Sequence, residues 1–456
     1  MPWSQTRNGR YERALGENET FIKILGDTAL PFSREHWAIN IAVAITPTGS
    51  LTQENMPHLF REAWKAFRFN HPTIAAYVVN ETNYVYDVPD RDALEKWASE
   101  TFKVVEGKTA DELISSITIS PYATMYYLPM TNELLAHSQH WRTDGIGSLM
   151  LMDDFLALAT LSPSPDAANL PWGEEAARLA PPIEEAAAIP TANHSEVDKE
   201  LGARYVATFG HAVGAIGILS PAPAETIPGG TRIAHHRFTE QETSAVIQAC
   251  KIRNLSVTAA VHASIAAANY ALAAPEDQAR KHYTSTIRYS FRPFLSNPYS
   301  GRQYASTIFT TGWMVAVPAT SSWEERARTY HGEYRKGLSK EYISAHREYA
   351  IGLCNLLRGL PAAGTPSPTD VDISSLGVVE KYLDREKGSS KRGIRVDRVS
   401  QGLEMMNRQG VCHVLTFRDQ LCLNLVYNEA FYEMVSMDNF VRAVRDSLLN
   451  ELAVEV

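Results

Sequence analysis

Cysteine is scarce in this chain: four residues in 456, Cys250, Cys354, Cys412 and Cys422, with no two in a C-x-x-C pair. That excludes a disulfide framework and a zinc ribbon, and the four read as reduced, mostly buried thiols. Positive charge is short as well. The 43 Lys and Arg stand against 52 Asp and Glu, a net charge of −9, which argues against a nucleic-acid binder. No run of 18 apolar residues occurs, so no membrane span is expected. The first residues, Met1-Pro2-Trp3-Ser4-Gln5-Thr6-Arg7, lack the apolar stretch of a signal peptide. There is no phosphate-binding P-loop and no G-x-S-x-G, and Gly210, Gly214 and Gly217 do not form a dinucleotide fingerprint. Nucleotide hydrolysis, serine-hydrolase chemistry and dinucleotide redox chemistry therefore lack a site. What is present, 45% hydrophobic and 21% charged residues, is ordinary for a globular protein long enough for two or three units. The expectation is a cytoplasmic enzyme or binding protein.

The segment His36 to Thr46 is β-branched and apolar and predicts a buried strand, followed by an amphipathic helix capped at Ser50 or Thr52 and running to Asn70. Further strands are expected over 74–79, 84–88, 125–128 and 132–140, with helices over 91–101 and 146–159. Residues 162–230 hold nine of the 24 prolines and several alanine runs, which marks a connection rather than a core. Beyond it Thr231 to Phe238 predicts a strand, and Thr239-x-x-Glu242 is a capping box opening a helix. Strand feeding capped helix thus recurs, suggesting two α/β lobes: 1–161, a Pro/Ala-rich crossover over 162–230, and 231–456. In the second lobe, strands are expected over 283–289 and 307–317, one helix from Trp323 to about Arg358, a proline-rich loop over 361–368, a hairpin over 411–427 and a closing helix over 437–452. Helices packed on hairpin-dominated sheets make an α/β sandwich.

The most informative hexapeptide is His140-Trp141-Arg142-Thr143-Asp144-Gly145. H-x-x-x-D occurs twice, the other being His194 to Asp198, but only at His140 does glycine follow, and only there does a strand end and a helix begin. His194 is taken as a decoy. A histidine at a strand end can project into a cleft, and its ordinary pKa near 6.5 suits it to take a proton from an attacking alcohol or amine. Asp144 follows a bend, so its carboxylate need not face the imidazole and can instead pair with an arginine to fix the loop. Gly145 permits close backbone approach at the start of the next helix. The bland alternative is a surface histidine beside an N-cap aspartate.

With these features the chain resembles the chloramphenicol-acetyltransferase superfamily, which includes plant-type BAHD acyltransferases, peptide-synthetase condensation domains and fungal trichothecene-type O-acetyltransferases. Ile287-Arg288-Tyr289-Ser290-Phe291-Arg292-Pro293 followed by Tyr299-Ser300-Gly301 is similar to the family's strand-borne arginine and its aromatic-x-Gly turn. Ile373-Ser374-Ser375-Leu376-Gly377 resembles its Ser/Asn-containing strand. The plant D-F-G-W-G motif is absent, and Gln139 stands where condensation domains double the histidine. Both departures point to the fungal trichothecene 15-O-acetyltransferase-like members. The resemblance implies a two-lobed sandwich with mixed sheets and an inter-lobe active-site tunnel. It implies His140 as general base, Asp144 held by a salt bridge to Arg288, an oxyanion donor at Ser374 or Ser375, and direct acyl transfer without an acyl-enzyme. For Arg292 a surface or inter-lobe salt bridge is preferred.

A stretch of seven basic and three acidic residues, Lys381 to Arg398, is read as a flexible loop in which Lys387, Lys391, Arg392 and Arg395 would meet coenzyme A phosphates or an acyl carrier protein. Solvation is the commoner fate of such a run. His58 and Glu62 share a helix turn with no third ligand, and His235 and His236 point oppositely on a strand, so no metal site is expected. The expected activity is acyl-CoA-dependent O-acylation, most simply acetylation, of a secondary-metabolite hydroxyl. Acyl-CoA serves as co-substrate, no cofactor is held permanently, and the chain acts as a monomer. The alternative is a condensation-like or cyclising enzyme acting on a carrier-bound or free intermediate. A non-catalytic binding protein would not need the intact H-x-x-x-D-G.

Overall fold

The computed structural model describes residues 2–192, 195–359 and 368–455. His194 and the greater part of the proline-rich loop over 361–368 lie outside them.

The strand Ile39–Gly49 organises the first lobe. Its alternation sends Ile41, Val43 and Ile45 into a core with Phe60, Trp64 and Phe67 of the helix Met56–Asn70, and with Leu149, Met152 and Phe155 of the helix Gly145–Ala159. The helix Met56–Asn70 starts later than expected. Thr52 to Asn55 form a turn closed by Thr52 N–H donating to Asn55 Oδ1 at 2.9 Å, and Asn55 is the cap residue.

Six strands build this sheet, in spatial order Glu386–Ser389, Arg392–Leu403, Ile39–Gly49, Glu133–Ser138, Thr124–Leu128 and Phe102–Val104. The first two come from the far half of the sequence, so 231–456 is not one contiguous lobe. Arg392–Leu403 pairs antiparallel along the length of Ile39–Gly49, covering an edge that would otherwise stand open. The "flexible loop" expected here is thus an ordered hairpin. A bulge between Val396 and Arg398 reverses its side-chain parity. Ile394 and Val396 precede the bulge, Val399 follows it, and all three join the same core.

The second lobe carries a sheet ordered Val371–Val378, Gly410–Phe417, Gln420–Asn428 and Thr231–Arg237, with its first pair parallel and the rest antiparallel. The helices Glu240–Ile252, Val257–Ala271 and Met434–Glu451 pack on it. A two-stranded ribbon, Tyr283–Ser290 with Thr310–Val317, lies alongside. The helix expected from Trp323 to Arg358 is two, Trp323–Lys336 and Lys340–Gly359, divided at Gly337 with φ +63°. The connection 162–230 contributes to the cores: Ile183 and Ala186 pack with Phe291, Phe309 and Tyr342, and Ile216 and Ile218 enter the second-lobe core.

The two sheets approach each other where Arg392–Leu403 passes Gly410–Phe417 and Gln420–Asn428. A Cβ on Gly402 would lie 2.5 Å from Val426 Cγ1, so glycine there lets the strands of the two lobes touch. No helix among the described residues is long and apolar enough to cross a membrane, and no group of His, Cys, Asp or Glu among them is arranged to hold a metal.

Candidate active site

The strand Glu133–Ser138 ends two residues before His140, and Asp144 caps the helix Gly145–Ala159, so the hexapeptide is the loop between them. His140 is half-buried. Its Nδ1 lies 3.0 Å from the carbonyl oxygen of Thr143. A carbonyl only accepts, so Nδ1 carries the proton and Nε2 keeps its lone pair for the space beyond. Burial lowers the pKa of the imidazole, opposed by the negative charge of Asp144. The imidazole is therefore neutral at working pH, with Nε2 free to accept a proton.

Asp144 does not touch His140. Its Oδ1 accepts from Gly147 N–H at 2.7 Å, Arg292 Nη1 donates to both carboxylate oxygens at 2.7 Å, and Phe309 N–H donates to Oδ2 at 2.8 Å. One buried carboxylate thus ties the loop, the helix N-terminus and the connection between the ribbon's two strands together. The expected partner, Arg288, is elsewhere. It sits inside the strand Tyr283–Ser290 and donates from Nη2 to Asp372 Oδ2 at 2.8 Å and from Nη1 to the carbonyl of Ile373. Arg292 lies four residues on, in the turn Arg292–Phe294, and that displacement carries its guanidinium to Asp144. Its side chain is buried, 7% exposed against 2% for Asp144, so of the two expected settings, surface or inter-lobe salt bridge, it takes the second.

Arg142 is a fixing element the sequence did not single out. It is 1% exposed and donates to the carbonyls of Thr73 at 2.9 Å and Pro121 at 2.8 Å, and also to that of Ala76. Thr143 Oγ1 donates to the carbonyl of Ala305 at 3.0 Å. Gln401, turned inward by the bulge upstream, donates from Nε2 to Gly145 O at 3.1 Å and Ser148 Oγ at 2.8 Å. A Cβ on Gly145 would lie 2.7 Å from Leu376 Cδ2.

Glu35 lies beneath this loop, buried and hydrogen-bonded to Trp141. Burial, with Asp27 adding to it, pushes its pKa to about 8. A carboxyl raised in the folded state is protonated there while the unfolded chain is ionised, so its stabilisation is lost as pH rises toward 8. We expect the melting temperature to fall between pH 7 and 8, by about 1 kcal/mol of stability, and Glu35→Gln to flatten that slope in differential scanning calorimetry. An unchanged slope in the variant would refute the assignment.

Alternation separates the two serines on the strand Val371–Val378. Ser375 Oγ lies 3.0 Å from Thr258 Oγ1, toward the helix Val257–Ala271. Ser374 shares the face of Asp372, toward Arg288, and its hydroxyl has no partner among the described residues. Ser374 pairs in register with His413, and His413 with Asn424.

The basic stretch is largely committed to internal contacts. Lys387 Nζ pairs with Asp153 at 2.8 Å and Asp384 at 2.6 Å, Arg392 donates to Ala159 O at 3.0 Å, and Arg395 pairs with Asp397 at 2.7 Å. Of the four, only Lys391 has a side chain without a partner among the described residues. A different basic surface is open. Lys251, His331 and Arg335, with Ile247, Asn254 and Val257, line a basin of about 530 Å³.

Residues 128–313, which include the histidine loop and Arg292, match the family model described as 15-O-acetyltransferase Tri3. Acetyltransferase pigO of Monascus ruber is 41% identical, with 100% of this chain and 99% of the relative covered. The chain belongs to the Tri3-type acetyltransferase family. It is an acetyltransferase of the TRI3-like O-acetyltransferase group that serves fungal secondary metabolism. The fold agrees: the structure of TRI3 trichothecene 15-O-acetyltransferase from Fusarium sporotrichioides superposes with a TM-score of 0.82 at 17% identity, over 98% of this chain and 97% of that one. The first condensation domain of the calcium-dependent antibiotic synthetase superposes at 0.63 and 12% identity, over 96% and 97%. The expected α/β sandwich of chloramphenicol-acetyltransferase type is therefore the fold of this Tri3-type chain.

Proposed function

We propose that this Tri3-type acetyltransferase transfers an acetyl group directly from acetyl-CoA to a hydroxyl of a secondary metabolite, with His140 as general base. The observation that carries the reading is the hydrogen bond from His140 Nδ1 to Thr143 O, which leaves Nε2 unprotonated in a loop locked from several directions. Nε2 removes the hydroxyl proton as the oxygen attacks the thioester carbonyl carbon. The tetrahedral oxyanion takes a hydrogen bond from Ser374, the serine turned toward Arg288. Collapse breaks the C–S bond, the imidazolium proton passes to the leaving thiolate, and the ester and free thiol depart with His140 neutral again. Acceptor and thioester approach from opposite sides of the inter-lobe interface, along the tunnel of this fold. The four separate buried thiols suit a reducing cytoplasm.

The donor's phosphates are assigned to the basin of Lys251 and Arg335, because the cations at 387, 392 and 395 have internal partners. The basin's rim residue Val257 adjoins Thr258, which meets Ser375 and so reaches the strand of the oxyanion donor.

Thiol release from acetyl-CoA in the presence of hydroxylated polyketides and terpenoids tests the reaction. Transfer is expected from acetyl-CoA; transfer only from an acetylated carrier protein would favour the condensation-type reading. Lys251→Glu with Arg335→Glu is expected to raise the KM for acetyl-CoA about tenfold or more, with the acceptor KM unmoved. Lys391→Glu should leave both unchanged. The reverse pattern would return the donor site to the hairpin.

A further inference from the structure

Trp37, Asn40 and Asn424 each hold a buried hydrogen-bond donor without a partner among the described residues. Trp37 holds a left-handed backbone conformation, φ +66°, which is strained for a bulky aromatic residue. Its N–H is committed to Glu404 O at 2.7 Å, and its ring centroid stands 6.3 Å from that of His140. The indole Nε1–H is buried without a partner among the described residues. Three residues on, Asn40 is 2% exposed on the sheet face turned to the second lobe, beside Gly402 in the strand register. Its Oδ1 accepts from His137 Nδ1 at 2.9 Å, and its Nδ2 has no partner among the described residues. Asn424, on the opposing sheet, repeats the pattern: Oδ1 faces His235 Nδ1 at 2.9 Å while Nδ2 is buried and unpaired. In each amide the acceptor is occupied and the donor is spare.

Buried donors left unmatched cost free energy, and they persist where a ligand completes them. A backbone strained so as to set an indole against the catalytic ring fits the same purpose. The matching group must be neutral and must accept hydrogen bonds. An ammonium could not use these N–H groups, and a bare hydrocarbon would leave them unmatched.

We propose that Trp37 and Asn40 recognise the acceptor by donating to a carbonyl oxygen near its reacting hydroxyl, so that the enzyme selects neutral hydroxy-ketones over alcohols lacking the carbonyl and over amino-alcohols. This rests on the reading of His140 as the base that activates the same acceptor. Asn424 extends the donor set from the other sheet.

Matched pairs of acceptors test it, each pair differing by one carbonyl: 3-hydroxychroman-4-one against chroman-3-ol, 2-hydroxytetralone against 2-tetralol, and the corresponding amino-alcohol. Acetyl transfer from acetyl-CoA is measured for the full-length wild type, Trp37→Phe, Asn40→Ala and the double variant. The wild type is expected to favour the ketones by about tenfold or more in kcat/KM, chiefly through acceptor KM. The double variant should bring that ratio near one while the KM for acetyl-CoA stays put. A variant that merely folds poorly would lower both members of a pair alike and leave the ratio intact. A wild type that acetylates both members equally, or a preference that survives in the double variant, overturns the inference while acyl transfer stands. Absence of transfer to every alcohol in the series overturns it together with the proposed reaction.

Discussion

His140→Ala is expected to lower kcat for acetyl transfer about a thousandfold, inside the ~10²–10⁴ range that a positioned general base contributes, with the KM for acetyl-CoA little changed. The imidazole donates to Thr143 O, a contact whose loss shifts little else, because the loop is held independently by Arg142, Thr143 and Asp144. A circular-dichroism spectrum and melting temperature close to wild type should accompany the loss. The pH profile supplies a second check. Burial holds the histidine below its ordinary 6.5, so the neutral, active form dominates above that value. The wild-type kcat/KM should be flat from pH 7 to 8 and fall on acidification, with a midpoint below 6.5. A midpoint above 7, or thiol release surviving in the alanine variant, would remove His140 from the role of base.

The histidine loop was legible because its chemistry is local. A strand end, a histidine, four residues, an N-cap aspartate and a glycine needed for close packing all lie within one hexapeptide. Arg288 and Arg292 were not separable in the same way. Both belong to one run, Ile287 to Pro293, and only the point where the strand stops, at Ser290, decides which guanidinium turns toward Asp144. The stretch Lys381 to Arg398 was misread for a physical reason as well: its seven cations look solvated, yet Asp153, Asp384 and Asp397 neutralise two of them, Lys387 and Arg395, while Ile394 and Val396 enter the core. Gln401 was hidden by the bulge, since unbroken alternation from Ile394 would have sent it away from the helix Gly145–Ala159. Trp37 and Asn40 left no local signal, because an unpaired donor is visible only when the partners of every neighbour are known.

Arg292→Met should be the most damaging single change outside the reacting groups. It leaves Asp144 buried, with both 2.7 Å hydrogen bonds from Arg292 Nη1 gone and only two backbone N–H groups to hold the charge. Removing one partner of a buried pair costs about 3–5 kcal/mol, a large share of the ~5–15 kcal/mol that holds a typical protein folded. Denaturant unfolding should register that loss. Any folded fraction should also show reduced kcat, because the loop carrying His140 is anchored through Asp144. Lysine at 292 keeps the charge but not the rigid guanidinium that sets Nη1 between the two carboxylate oxygens, so Arg292→Lys should recover part of the stability and less of the activity. Pairing Arg292→Met with Asp144→Asn removes both charges and should be more stable than Arg292→Met alone, since no buried charge is left unpaired and the amide oxygen can still accept from one of the two N–H groups, that of Gly147 or of Phe309. Arg288→Met, which breaks a pair that is 22% and 10% exposed, should cost only about 1–2 kcal/mol. Were Arg288→Met instead the severe variant and Arg292→Met the mild one, the anchoring of the histidine loop through Arg292, in the connection between the ribbon's two strands, would be wrong.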